Sequence, residues 1–258
     1  MANCLIGWPN RFTFGRITAS AQEAALPATN LANDQGSADQ GFQCPGTSVR
    51  IQVDLPTDTP CRIFGLFRTN LTATAKTRWV VRTAALVKTW EGGTFPAGVV
   101  AGYGQTVTTA PPGIVGGQVY CDITDPDNPD GFLNIPLAYA GPAWQPVRNF
   151  DYASAPGRVS QSAETATRSG GVVTRSDWVK RTFDLSLSGV KAAEVWDRVM
   201  DLDLYARRGN NVLFVSNPGS AVMQRESLFG QVKPESGVTY PHQAADARGW
   251  RATITERL

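Results

Sequence analysis

The sequence predicts a mainly β protein of two units, a β-sandwich over residues 1–145 and a β-rich unit over 146–258 that carries one helix. Period-two alternation of apolar and polar residues recurs in both halves, and such alternation indicates strands with one buried face. The 25 Gly and 17 Pro among 258 residues supply frequent turns without reaching the content of disordered chains. Only residues 191–207 follow the spacing of an amphipathic helix.

The strands of the first unit are predicted from local pattern. Val49–Leu55 alternates, whereas Cys61–Phe67 is apolar throughout and is predicted to be covered on both faces. A loop over Asn70–Ala75 and a strand over Lys76–Thr83 follow. Because Gly and Pro are disfavoured in central strands, Gly92–Gly117 is predicted to be a long excursion. Two short closing strands are predicted at Val119–Ile123 and Phe132–Ile135.

The second unit is predicted to begin after the Pro- and Gly-rich cluster Gly141–Pro146. The small, polar segment Ser154–Gly171 is predicted to be a mobile loop. Alternation in Trp178–Leu187 predicts a strand that turns Phe183, Leu185 and Leu187 inward. Further strands are predicted at Asn211–Ser216, Leu228–Val232 and Gly249–Glu256, the last with Trp250, Ala252 and Ile254 on one face.

The one predicted helix runs from about Lys191 to Arg207 and is expected to be capped by Ser188 or Gly189. Steps of three and four place Ala192, Val195, Val199, Leu202 and Ala206 on an apolar stripe. Trp196, Met200 and Leu204 are expected to widen this stripe. Gly209 provides a natural stop.

Charge and composition exclude several classes of function. Residues 1–140 hold 9 Lys and Arg against 10 Asp and Glu, and residues 141–258 hold 15 against 12, so the halves carry −1 and +3. Neither is a basic patch that would bind nucleic acid through phosphates. No apolar run is long enough for a membrane span, and the N-terminus lacks the features of a signal peptide.

Signatures of catalysis and of metal or cofactor binding are missing from the sequence, so we expect no enzyme, no cofactor and no metal. The single histidine, His242, is predicted to be an ordinary surface residue of a loop. The four cysteines form no close pair, which disfavours zinc, and without a secretion signal they are expected to be free or partly buried thiols. A glycosidase needs only two carboxylates, which sequence cannot place in space.

The acidic segment Asp122–Gly131 has two interpretations. Its carboxylates suggest a calcium loop, but the EF-hand spacing fails because Pro129, Asp130 and Pro136 occupy key positions. Asp, Asn, Pro and Gly are also the usual turn residues, so a tight loop is favoured over a bound cation.

Aromatic residues supply the candidate contact sites. Trp79, Trp196 and Trp250 lie on predicted apolar faces and are expected in the core. Trp90, which Glu91, Gly92 and Gly93 follow, is the best exposed candidate for stacking on a sugar ring or on a partner. Tyr103, in a glycine-rich segment that lacks the third glycine of a dinucleotide loop, is the second candidate.

Three segments of the first half resemble the galactose-binding-like, discoidin-type β-jelly-roll found in tail proteins of tailed bacteriophages. They are the opening Leu26–Leu31, the strand Ile51–Leu55 and the loop Asn70–Arg78. The second half resembles distal-tail or baseplate proteins, through the strand-to-helix segment Leu187–Glu194 and the strand end Val212–Pro218.

The resemblance implies a structural subunit near the tip of a virion tail, made in the host cytoplasm. Such a subunit would form a homo-oligomeric ring and contact other phage tail proteins, namely the tail tube, hub and tape-measure proteins. Gly92–Gly117 and Ser154–Gly171 would be its contacts with neighbouring subunits. The first alternative is a carbohydrate-binding module that recognises a host-surface glycan, and a hydrolase is the second alternative.

Overall fold

The computed structural model describes residues 3–34, 36–93, 103–166, 168–235, 237–240 and 246–257. The mainly β class with one substantial helix is confirmed. Strands of the first half are β1 (Leu5–Gly7), β2 (Arg16–Ala19), β3 (Phe42–Pro45), β4 (Ser48–Pro60), β5 (Ile63–Phe67), β6 (Lys76–Arg82), β7 (Lys88–Gly92), β8 (Thr106–Thr109), β9 (Val115–Thr124), β10 (Phe132–Ile135) and β11 (Leu137–Gly141). Strands of the second half are β12 (Ala155–Ala166), β13 (Val172–Lys191), β14 (Asn211–Val215), β15 (Leu228–Pro234) and β16 (Ala247–Glu256).

The helical elements are few. The long helix occupies residues 192–207 as two α-helical stretches, Ala192–Glu194 and Met200–Arg207, joined by a π-helical turn at Val195–Val199. A short helix covers Met223–Glu226, and 3₁₀ turns lie at Arg11–Thr13, Ala28–Ala32 and Ala38–Gln40. In the part of the chain that the structure describes, no helix combines the length and apolar character needed to span a membrane.

The first half forms the predicted β-sandwich. One layer is a five-stranded sheet in the order β2-β4-β9-β6-β7, and the other contains the three-stranded sheet β11-β5-β8 and the pair β10-β3. Alternate residues of β4, among them Ile51 and Val53, are buried in the core between the layers. The indole of Trp79 lies in the same core and is completely buried, as predicted.

The segment predicted to be a long excursion with short closing strands is more regular than expected. Its described part contains β8 and the beginning of β9, whereas residues 94–102 lie outside the described residues. β9 is ten residues long and lies in the middle of the five-stranded sheet, between β4 and β6. A Cβ at Gly116 would collide with the Val81 side chain and the Arg82 carbonyl, and one at Gly117 would crowd the Asp58 carboxylate and Ala84, which explains the two glycines within this strand.

The second half is built on a six-stranded sheet in the order β1-β14-β15-β16-β13-β12. One face carries the predicted inward residues of β13 and β16, including Phe183, Leu185, Trp250 and Ile254, all of which are buried. The long helix packs on this face.

The long helix has the predicted extent, but its buried face is narrower than predicted. Val195, Val199, Leu202 and Ala206 are buried, whereas Trp196, Met200 and Leu204 are exposed by 64%, 39% and 52%. The helix packs on a single sheet, so only the residues that face this sheet are buried. The helix begins at Ala192 because β13 continues to Lys191, so the cap predicted at Ser188 or Gly189 is wrong. The Asp246 carboxylate instead accepts a hydrogen bond of 3.3 Å from the Ala192 N–H.

A third cluster of apolar residues joins the two halves. The outer face of the sheet β11-β5-β8, with Ile63, Phe67 and Tyr139, packs against Leu213 and Phe229 of the six-stranded sheet. The molecule therefore has four layers: the long helix, the six-stranded sheet, the three-stranded sheet and the five-stranded sheet.

The division at residues 145/146 stays a prediction, and one strand crosses it. β1 pairs antiparallel with β14, placing Leu5–Gly7 at the edge of the second half's sheet. Ile6 also bridges to Trp144 through two backbone hydrogen bonds of 2.9 and 2.8 Å.

The segment predicted to be a mobile loop, Ser154–Gly171, is instead dominated by a strand. β12 pairs with β13 along its whole length, and each of its twelve residues is exposed. β13 joins β16 only from Thr182 onward. We call residues 158–180 the hairpin arm, because among the described strands its two strands pair only with each other.

The four cysteines are free and buried, as predicted. Burial raises the pKa of the Cys4 thiol to about 12 and that of Cys61 to about 11. Both thiols are therefore protonated at neutral pH.

Val199→Asp should destabilise the fold, because Val199 is completely buried beneath the long helix. An unpaired carboxylate at this position is expected to cost about 3–5 kcal/mol in the free energy of unfolding. Arg198→Asp, one residue away on the exposed side, is the matched control and should change it by about 0.5 kcal/mol or less. Urea unfolding measures both variants, and a Val199→Asp protein as stable as the control would contradict the packing described here.

Asp34 should make stability depend on pH. Burial raises the pKa of its carboxyl to about 6 from 3.8, against the opposing hydrogen bond from Asn10. Between these pH values the unfolded chain binds fewer protons than the folded one, so the free energy of unfolding falls as pH rises from about 4 to 6. Asp34→Asn should remove this loss, which is on the order of 1–3 kcal/mol. Urea unfolding of both proteins from pH 4 to 7 tests this, and parallel stability curves would contradict it.

Candidate functional site

A cavity of about 690 Å³ lies where the base of the hairpin arm meets both halves of the chain. Its walls come from segments far apart in sequence: Tyr103, residues 149–158, the middle of β13, the end of β14 and the short helix. The lining residues that the geometry below involves are Tyr103, Asn149, Phe150, Asp151, Tyr152, Arg158, Arg181, Ser216, Asn217, Arg225 and Glu226.

Tyr103, one of the two predicted contact residues, lines this cavity. The Arg181 guanidinium lies over its ring, 4.2 Å from the centroid. Arg158 at the start of the arm donates a hydrogen bond of 3.2 Å to the Tyr103 hydroxyl. Tyr103 therefore joins the first half to β12 and β13 at the base of the arm.

Arg181 anchors the base of the arm to the body of the protein. It forms a salt bridge with Glu256 in which each side chain is only 11% exposed, and the Arg181 backbone N–H donates to the same carboxylate. Its guanidinium also donates to Oε1 of Gln105 at 2.6 Å and to the carbonyl of Arg225 at 2.9 Å. The Arg181 guanidinium thus connects β13 to the segment of Gln105, to the short helix at Arg225 and to β16 at Glu256.

Gln105 and Gln224 extend this network between the halves. The buried Gln105 amide donates to the backbone carbonyls of Gln224 and Ser227. The side-chain amide of Gln224 accepts a hydrogen bond from the Val107 N–H and donates one to the Val107 carbonyl, both of 2.6 Å. A neighbouring strand would pair with Val107 in the same way. The side of the cavity next to Tyr103 is therefore held by specific polar contacts.

The remaining lining combines aromatic rings with polar side chains. Phe150 packs against the second-half core, whereas Tyr152 is fully exposed at the rim. Glu226 accepts a hydrogen bond of 2.8 Å from Ser216, and Asp151 accepts hydrogen bonds from the hydroxyls of Ser186 and Ser188. The Glu226 and Asp151 carboxylates thus already accept hydrogen bonds from hydroxyl groups of the protein. Such a surface can bind a polar ligand that also offers an apolar face.

Trp90, the other predicted contact residue, lies elsewhere and is only partly exposed. Its indole stacks on Phe64 with a centroid distance of 5.1 Å and an interplanar angle of 8°. Gly92 packs closely against the same indole, and Trp90 belongs to the periphery of the sandwich core. The structure therefore does not bring Trp90 and Tyr103 together.

The acidic segment Asp122–Gly131 forms a strand end followed by a tight loop. The Asp125 carboxylate is completely buried and accepts hydrogen bonds from the backbone and hydroxyl of Thr72 and from Asn128. Burial raises the pKa of Asp122, but hydrogen bonds from Arg50 and Arg78 outweigh it and lower this pKa overall. Protein donors thus hold both carboxylates, and no group of three metal-ligating residues occurs among the residues described.

Two further sequence expectations concern single residues. His242 lies outside the described residues. Trp196, expected in the core, is on the surface, whereas Trp250 is buried as expected.

Sequence reasoning missed most of the cavity. Arg158, Arg181 and Glu256 belong to strands, and no motif or spacing distinguishes them from other surface charges. Their connection depends on pairing between β12, β13 and β16, which local patterns do not reveal.

No known family model and no curated protein matches this chain. Among solved structures, a mutant of the lectin binding domain of Lectinolysin complexed with Lewis b covers 53% of this chain and 97% of its own length, at 11% identity and a TM-score of 0.43. A Streptococcus pneumoniae fucose binding module, SpX-3, covers 52% and 98%, at 9% identity and a TM-score of 0.41. The family 32 carbohydrate-binding module of C. perfringens NanJ in complex with galactose covers 54% and 98%, at 13% identity and a TM-score of 0.38.

Replacing Arg181 by Met should destabilise the protein far more than removing an exposed charge. The change leaves the Glu256 carboxylate buried without its cation, which costs about 3–5 kcal/mol. Arg207→Met is the matched control, because Arg207 is 55% exposed and pairs with Asp203 four residues earlier, and an exposed pair of this kind contributes little to stability. Equal unfolding free energies for the two variants would show that Arg181 does not hold the base of the arm.

Proposed function

We propose that this chain is a structural subunit of a phage tail tip or baseplate that assembles into a homo-oligomeric ring and performs no chemical step. The observation that supports this most strongly is the hairpin arm. Its strand β12 is the edge of the six-stranded sheet, and all twelve residues of that strand are exposed.

An isolated two-stranded hairpin is marginally stable in water, because pairing alone barely offsets the entropy lost on ordering the backbone. An exposed edge strand also presents unpaired N–H and C=O groups that attract another chain. The ten residues of β13 before Thr182 would extend roughly 30 Å at about 3.3 Å per residue. Such an arm is suited to binding a neighbouring subunit.

The phage-tail part of the proposal rests on the sequence resemblance. The segments that carry it in the second half, Leu187–Glu194 and Val212–Pro218, include the end of β13 that leads into the long helix and the strand β14. In this proposal the chain is a component of the virion, made in the host cytoplasm, and contacts tail tube, hub and tape-measure proteins.

Removing the arm should abolish self-association without unfolding the subunit. Residues 159–180 are replaced by Asn-Gly, which favours a tight two-residue turn between the paired residues Arg158 and Arg181. Because the arm contributes no residue to the apolar core clusters, the melting temperature should stay within a few degrees of the wild type. Sedimentation velocity should show an oligomer for the wild type and a monomer for the variant.

Negative-stain electron microscopy of the wild type then shows whether the oligomer is a closed ring. A wild-type protein that stays monomeric up to about 100 μM, well above the affinity range of specific assemblies, would overturn the proposal. An oligomer that survives replacement of the arm would also contradict the role given to the arm.

A second candidate function, carbohydrate binding, is favoured by the composition of the cavity. Tyr103 and Tyr152 offer aromatic rings, and Asn149, Asn217 and Arg225 offer planar polar groups beside them. Aromatic faces pack on the apolar side of a sugar ring while planar polar groups bond its hydroxyls. This function could coexist with a structural one, since a tail tip contacts the host surface.

Tyr152→Ala should weaken glycan binding at this cavity by about tenfold, because the exposed Tyr152 ring is available for stacking. Tyr240→Ala, at an exposed tyrosine that does not line the cavity, is the matched control and should bind normally. A glycan array with galactose-, fucose- and rhamnose-terminated sugars measures both variants. Absence of wild-type binding, or equal loss in both variants, would reject this second candidate.

A further inference from the structure

We propose that the hairpin arm of one copy binds the exposed side of the long helix in the next copy, in a head-to-tail arrangement. The inference rests on the proposed function, because it names the two surfaces that would join neighbouring subunits. Each surface is apolar in part, and the two carry opposite charges.

The helix supplies an apolar stripe that no other described part of the chain covers. Trp196, Met200 and Leu204 follow steps of four, which place them on one side of the helix. We call these three residues the helix stripe. An indole exposed by 64% beside two further apolar side chains is typical of an interface anchor.

Acidic residues border the helix stripe. Asp197 and Asp201 each follow a stripe residue and are exposed. Residues 192–207 hold four acidic residues against two basic ones, a net charge of −2. The partner of this surface is therefore expected to be apolar and basic.

The hairpin arm has that character. Residues 158–180 hold four basic residues against two acidic ones, a net charge of +2. Arg175, whose side chain is 84% exposed, pairs with Asp177 of the same strand at 3.3 Å, and it lies on the same arm as the exposed apolar residues Val159, Val172 and Val179. Arg168 is also exposed, in the connection between the two strands.

The arm and the long helix are connected to opposite ends of the same strand segment within one copy. β13 carries the arm at its beginning and runs through the sheet before the long helix starts at Ala192. The helix therefore starts at the end of β13 that lies opposite to the arm. A contact between the arm of one copy and the helix stripe of another joins two different surfaces, and such a contact generates a ring or a filament.

Charge reversal tests the pairing in the full-length protein. One variant carries Asp197→Lys and Asp201→Lys, a second carries Arg168→Glu and Arg175→Glu, and a third combines all four changes. All four positions are exposed, so the fold should not change. Each two-residue variant should weaken association about tenfold or more, and the combined variant should recover most of the wild-type affinity, as measured by sedimentation velocity over a concentration series.

The control is a protein with Arg16→Glu and Glu23→Lys, which alters exposed charges away from both surfaces and should associate like the wild type. If the wild type assembles but the reversals have no effect, or the combined variant does not recover, the arm–helix pairing is wrong while the assembly function stands. If the wild type does not assemble at all, the proposed function fails and the pairing fails with it.

Discussion

Burial of both faces of the sheet β11-β5-β8 is the constraint on which the architecture depends. Phe64 and Leu66 face the sandwich core, while Ile63 and Phe67 face the second half. The residues of these strands are accordingly apolar, small or Thr, except for Tyr139, whose hydroxyl donates a hydrogen bond to the carbonyl of Pro142. The same sheet brings the segment before β8, with Tyr103 and Gln105, against the second half, so the cavity exists only because the two halves share this sheet.

Elements with a regular apolar face could be predicted from sequence, and elements without one could not. β4, β5, β13 beyond Thr182 and the long helix were identified because burial imposes a pattern on them. β12 has no buried residue, so its sequence shows no alternation and resembles a loop. Trp196 illustrates the opposite error. Helical spacing predicts that apolar residues share one side of a helix, but it does not predict whether another part of the protein covers that side.

The candidate site was predictable only at one residue. Tyr103 lies within a recognisable glycine-rich segment, whereas Arg158, Arg181 and Glu256 come from strands that pattern alone does not bring together. The glycines that follow Trp90 predict an exposed ring, but the indole packs against one of them, Gly92. Side-chain stacking of this kind is set by tertiary structure and leaves no signal in neighbouring residues.

The pairing of β1 with β14 has a consequence for how the chain reaches its folded state. More than 200 residues separate Leu5 from its partner Val215, so β1 has no partner strand until the residues up to about Val215 have left the ribosome. The sandwich can close earlier, since its strands all lie within residues 16–141. The order of synthesis thus favours a folded first half with β1 still unpaired, and β14 pairs with β1 afterwards. A fragment beginning at residue 146 would lack this strand and would expose β14 as a new sheet edge.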